Sequence, residues 1–169
     1  RDRPVGIDVL NDVIMSKMNE ARREKYILTA EARTKEQLEA KKAAAMTFVK
    51  RSATYSAYNG LNPIIAVDAA VDFMILYQLY NNIRETFGIT EEIIASSKKV
   101  SDKDKRLVLK NAGRQLVART FLKVVPVVGQ ATAALIGYKL VNKTGRDYVN
   151  ACYELARERL LSALDARRS

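Results

Sequence analysis

Residues 64–88 read IIAVDAAVDFMILYQLYNNIRETFG. The run follows Asn62-Pro63 and stops at Gly88, so proline sits where a first helical turn tolerates it and glycine where a helix end favours it. Apolar side chains point in nearly every direction around this helix, which predicts burial at the centre of a bundle. No stretch of the chain alternates strictly between apolar and polar, and only 7 Gly and 3 Pro interrupt it. The spacing predicts an all-α fold, a bundle of roughly six helices.

Upstream of the apolar run, Thr34 and Gln37 form a capping box that opens a helix continuing through Ala43-Ala44-Ala45 to Asn59-Gly60. Earlier still, Asp8 starts a first helix in which Val9, Leu10, Val13, Ile14 and Met18 share one stripe. The polar stretch 22–33 reads as a loop with one helical turn at 26–28. Downstream, Thr90 begins a short fourth helix, 98–104 is a charged linker, and a fifth helix covers 102–124. A break at Pro126 and Gly129 makes an apolar hairpin, and a sixth helix runs from about Gln130 either to Asn142 or on unbroken, with Gly145 as a weak interruption. The helices from Pro63 and from Gln130 are expected to form a central apolar pair, packed antiparallel.

The chain has 169 residues, one domain's worth, with 48% hydrophobic and 28% charged side chains. It contains no His, no Trp and one Cys. Without histidine no Ser-His-Asp or Cys-His nucleophile can be assembled, and no Cys/His zinc site exists. One cysteine cannot close an internal disulfide. Cys152, on an amphipathic helix, reads as a buried structural thiol.

The formal charge of +10 is uneven. Segment 97–123 holds 9 basic and 2 acidic residues, whereas 61–96 holds 1 and 5. Lys98, Lys99, Lys103, Lys105, Arg106, Lys110 and Arg114 are the candidate residues for contact with an anionic membrane surface or a partner protein. The same stretch also reads as an ordinary solvated face. Nucleic acid is the weaker alternative, because Tyr55, Tyr58, Tyr77 and Tyr80 lie away from the basic segment and charge alone supports it. Asp68 and Asp72 share one face of the apolar helix and are expected to form a structural buried pair with Lys139 or Lys143. Segment 142–145, Asn-Lys-Thr-Gly, lacks the aspartate of a guanine-reading loop, and no glycine-rich phosphate loop occurs. No catalytic, metal-binding or cofactor-binding residue is assigned.

Two segments read together carry a family resemblance: Asn62-Pro63-Ile64-Ile65-Ala66-Val67-Asp68 leading to Phe87-Gly88, and Val124-Val125-Pro126-Val127-Val128-Gly129-Gln130 leading into a small-residue helix. This pattern resembles the C-terminal helical domain of immunity-related, interferon-inducible GTPases, and the YcjF-type helical domain that follows Era-like G domains. The resemblance covers about residues 34–165. Val5-Gly6-Ile7-Asp8-Val9-Leu10 is similar to the turn opening the last helix of a Ras-like G domain. It implies that 1–25 is a remnant of that helix plus linker, and 26–169 the helical domain. The start lacks an initiator Met, which suggests excision from a longer chain. The resemblance implies a non-catalytic regulatory or effector module, in contact with membrane or partner and coupled to nucleotide state. Any GTP and Mg²⁺ would belong to an upstream G domain, in cis or in trans. A standalone helical adaptor without its own G domain is the alternative. The N-terminus carries no signal-peptide pattern, and the apolar window 124–138 is shorter than the ~20 residues that span a bilayer. A cytoplasmic location with peripheral membrane contact is the expectation.

Overall fold

Thr34 starts its helix as a capping residue should. Its Oγ1 accepts from the Gln37 backbone N–H (3.2 Å), while Gln37 Oε1 accepts from the N–H of Arg33 (2.8 Å), one residue earlier than in the usual box. This computed structural model describes residues 7–29, 32–59, 65–109 and 130–166. Lys110, Arg114, Pro126 and Gly129 lie outside them. Among the described residues there are seven helices and no strand: α1 (Ile7–Lys17), α2 (Glu20–Thr29), α3 (Lys35–Asn59), α4 (Ile65–Phe87), α5 (Glu91–Ser96), α6 (Asp102–Val108) and α7 (Gln130–Ala166). The all-α bundle holds.

Two element readings need correction. The stretch expected to be a polar loop is α2, whose first turn is capped by Asn19 Oδ1 accepting from the Arg22 N–H at 3.0 Å. The fifth helix stops at Val108, with Leu109 turning to ψ 128°. Of the two ends left open for the sixth helix the structure has the longer: α7 runs unbroken through Gly145 for 37 residues.

α4 ends at Gly88, in the left-handed region at φ 61°. The Gly88 N–H donates to Glu85 O and the Ile89 N–H to Arg84 O, both at 3.0 Å, the bond pair of a Schellman turn. Arg84 Nε then donates to Ile89 O (3.0 Å), fixing the exit of the chain.

The core is built around α3 and α7 rather than α4 and α7. On α3, Leu38, Lys41, Ala45, Val49, Ala53 and Ser56 are buried at spacings of three and four, one helical stripe. On α7, Val141, Tyr148, Cys152 and Leu155 make the facing stripe. The small residues of both stripes allow close approach. A Cβ built on Gly145 would lie 2.8 Å from Val49 Cγ1 and 3.1 Å from Leu79 Cδ2, so α3 and α4 both press on the same glycine. The weak interruption expected at Gly145 is instead a point where α7 lies against both neighbouring helices.

Pairs of touching residues give the directions. Tyr153 of α7 meets Glu39 and Lys42 near the start of α3, and Gly145 meets Val49 further along, so α3 and α7 are antiparallel. Leu79 meets Gly145, Tyr80 stacks on Tyr148 with ring centroids 4.3 Å apart, and Phe87 meets Tyr153 edge-on. The numbers rise together, so α4 runs parallel to α7, not antiparallel.

Gly145→Ala should therefore destabilise the protein despite alanine's better helix propensity. Overpacking costs about 1–3 kcal/mol and the propensity gain is about 1 kcal/mol. In urea unfolding, Gly145→Ala combined with Val49→Ala should lose less than the sum of the two single losses. Strict additivity would contradict the contact.

Candidate functional site

The basic segment begins in the loop between α5 and α6. Thr90 caps α5 by accepting from the Ile93 N–H, and Ser101 caps α6 by accepting from the Asp104 N–H at 3.2 Å. Between the caps, residues 98–100 turn their backbone amides towards α7, while the Ser97 amide still donates to Ile93 O of α5. There a single carboxylate gathers them. Glu158 Oε1 accepts from the N–H of Lys98 (2.7 Å) and of Lys99 (3.0 Å), and Oε2 accepts from the Ser97 hydroxyl. The Ser97 hydroxyl, then the amides of Lys98, Lys99 and Val100, hold the Glu158 carboxyl below its ordinary pKa.

The far end of the segment is fastened as well. Val108 is fully buried, and its carbonyl accepts from the Tyr148 hydroxyl of α7 at 3.3 Å. Burial raises the Tyr148 pKa, so the phenol remains a donor. The segment is therefore tied to α7 at two points about ten residues apart along that helix.

The structure divides the seven basic candidates. Lys98, Lys99 and Lys103 are exposed, and none forms an ion pair with a described residue. Lys105 instead reaches back so that its Nζ donates to Ser97 O at 2.6 Å, and Arg106 Nε donates to Asp102 O at 3.2 Å. Those two reinforce their own loop. Lys110 and Arg114, with the apolar hairpin at Pro126 and Gly129, are outside the described residues.

The expected buried pair falls largely outside the described residues. Asp68 and Asp72 lie in α4, and their side chains are outside the description. Lys139 is exposed on α7, on the side away from the buried stripe through Val141 and Gly145, so it is not a buried counter-ion. Among the described residues the buried lysine is Lys41, which the sequence reading did not single out. It is 5% exposed, and its Nζ donates to the Thr86 carbonyl in the last turn of α4 at 2.5 Å. A basic side chain there complements the negative end of the helix dipole. Cys152 is buried as expected, and burial pushes its thiol pKa up, away from reactivity. Among the described residues no group of three or more His, Cys, Asp or Glu could hold a metal ion. None of the described helices is long and apolar enough to cross a membrane.

Comparison with protein-family models, curated proteins and solved structures finds no match to this chain.

The Glu158 contact has a pH signature. A carboxyl with a lowered native pKa contributes stability that is full above the ordinary glutamate range, near ~4.3, and is lost as pH falls through the lowered native value. Hydrogen exchange at the Lys98 and Lys99 amides should be slow at pH 6 and should accelerate in Glu158→Ala beyond the intrinsic rate change. The stability gap between wild type and Glu158→Ala should close as pH drops towards 3. A gap independent of pH would contradict the assignment.

Proposed function

We propose that this chain is a non-catalytic helical module that presents the segment 97–106 to an anionic membrane surface. The observation that carries the reading is the set of three exposed lysines, Lys98, Lys99 and Lys103, on a segment tied to α7 by Glu158 and Tyr148. Ordering costs affinity when a binding loop must be fixed on contact, and here the loop is held beforehand. Each lysine near an anionic lipid surface contributes about 1 kcal/mol.

The resemblance to helical domains that follow G domains extends this reading to a regulatory or effector module, coupled to the nucleotide state of a GTP-binding protein. Support comes from α1, whose expected apolar stripe is not sealed against the bundle: Leu10 is 56% and Val13 51% exposed. Those side chains suit packing against a neighbouring domain.

The test is cosedimentation with vesicles containing phosphatidylserine, against neutral vesicles, over a salt series. Wild type should bind the anionic vesicles only, and binding should weaken as salt rises. Lys98→Gln, Lys99→Gln and Lys103→Gln together should lower the affinity by about a hundredfold, the sum of three contributions of about 1 kcal/mol. Unchanged vesicle binding in that variant, or preference for duplex nucleic acid with a steep salt slope, would sink the proposal.

A further inference from the structure

The bundle treats Tyr55, Tyr58, Tyr77 and Tyr80 differently. Tyr80 is buried against Tyr148 and Tyr77 is half-buried, whereas Tyr55 and Tyr58 are 68% and 70% exposed. One exposed aromatic is ordinary on a protein surface. These two stand a single turn apart on α3, with Cβ atoms about 5–6 Å from each other. The stretch of α3 from 40 to 59 contains no Asp or Glu, and neither does the stretch of α7 from 130 to 146.

The fold lays those two acid-free stretches side by side. Glu39 and Lys42 of α3 both touch Tyr153, and Val49 lies against Gly145. That antiparallel register puts Lys50 level with Lys143, and Tyr58 level with the first turns of α7. Lys50, Thr54 and Tyr58 follow one another at spacings of four, an exposed stripe of α3. Lys139, Lys143 and Arg146 follow at spacings of four and three along α7, rising about 4.5–6 Å from each to the next. All four basic side chains are exposed, and none is ion-paired with a described residue. The loop 97–106 is fastened to another flank of α7, through Tyr148 and Glu158.

Two open rings beside a row of cations suit a ligand that is anionic along its length and carries flat rings of its own. Bases stack on tyrosine whatever their sequence, while cations follow the sugar-phosphate backbone. A duplex keeps its base faces inside and offers these residues only phosphates. Lysine is depleted where proteins meet one another, which disfavours a protein partner for a row of this composition. We infer that Tyr55 and Tyr58, with Lys50, Lys139, Lys143 and Arg146, bind single-stranded nucleic acid, its bases on the two rings and its phosphates along the basic row. The inference does not rest on the membrane-surface reading.

The experiment is fluorescence anisotropy of the whole chain with a fluorescein-labelled, mixed-sequence single-stranded oligodeoxynucleotide of about twelve residues, and with the same strand annealed to its complement. Wild type should bind the single strand at least about fivefold more tightly than the duplex. Tyr55→Ala with Tyr58→Ala should weaken single-strand binding by at least about tenfold. Tyr55→Phe with Tyr58→Phe should keep it within about threefold, because the ring and not the hydroxyl does the stacking. Both positions are exposed, so thermal unfolding should be unchanged in either pair. Lys50→Gln, Lys139→Gln, Lys143→Gln and Arg146→Gln together should flatten the slope of log affinity against log salt by about 2–3. Lys98→Gln, Lys99→Gln and Lys103→Gln together should leave the loss caused by the alanine pair in place, which separates this face from the loop. No single-strand binding, equal or tighter binding of the duplex, wild-type affinity in the alanine pair, or an unchanged salt slope in the four-residue variant would overturn the inference.

Discussion

At Gly145 the backbone of α7 comes so close to Val49 of α3 and Leu79 of α4 that no side chain fits between them. This shared approach sets the arrangement of the bundle. It brings α3 and α4 onto one level of α7, and the layers above follow from it. Tyr80 then lies on Tyr148, and Phe87 meets Tyr153. Lys41 reaches the last turn of α4, whose carbonyls it caps. The aromatic contacts run outwards from the glycine in one direction, which makes α4 parallel to α7.

Parallel packing has a consequence for the rest of the chain. Leaving α4 beside Tyr153, the chain must return along α7 before that helix can begin. The described part of the return is visible in two contacts: residues 97–99 meet Glu158, and Val108 meets Tyr148. The basic segment is thus stretched along α7 in the reverse direction, held by a carboxylate at one end and a phenol at the other. The lysines between these ties are displayed because the backbone beneath them is occupied.

Much of this was legible in the sequence where the signal is local. The caps at Thr34 and Thr90 and the stop at Gly88 follow from side chains within four residues of the backbone groups they satisfy. α2 is hard to read because its large apolar side chains are bunched at 26–28 behind a charged first half, although Asn19 as its cap is a usable sign. Apolar content alone points to α4 rather than α3 as the central partner of α7. Closeness decides instead, and the small residues of α3 permit it: Ala45, Ala53 and Ser56 are fully buried. Gly145 looked like a weak point because a glycine lowers helix propensity, and only the neighbouring helices reveal what its missing side chain allows. At the candidate site the lysines were readable from charge. Glu158 was not, since it lies about sixty residues from the amides it holds.

The most direct test of the architecture is a nuclear Overhauser measurement from the Gly145 α-protons in isotope-labelled protein. The packing described here requires cross-peaks to the methyl groups of both Val49 and Leu79, with further ring-proton cross-peaks between Tyr80 and Tyr148. Cross-peaks from Gly145 to Val49 alone, with Tyr148 facing residues nearer the start of α4 than Leu79, would mean that α4 runs the other way and would contradict the account.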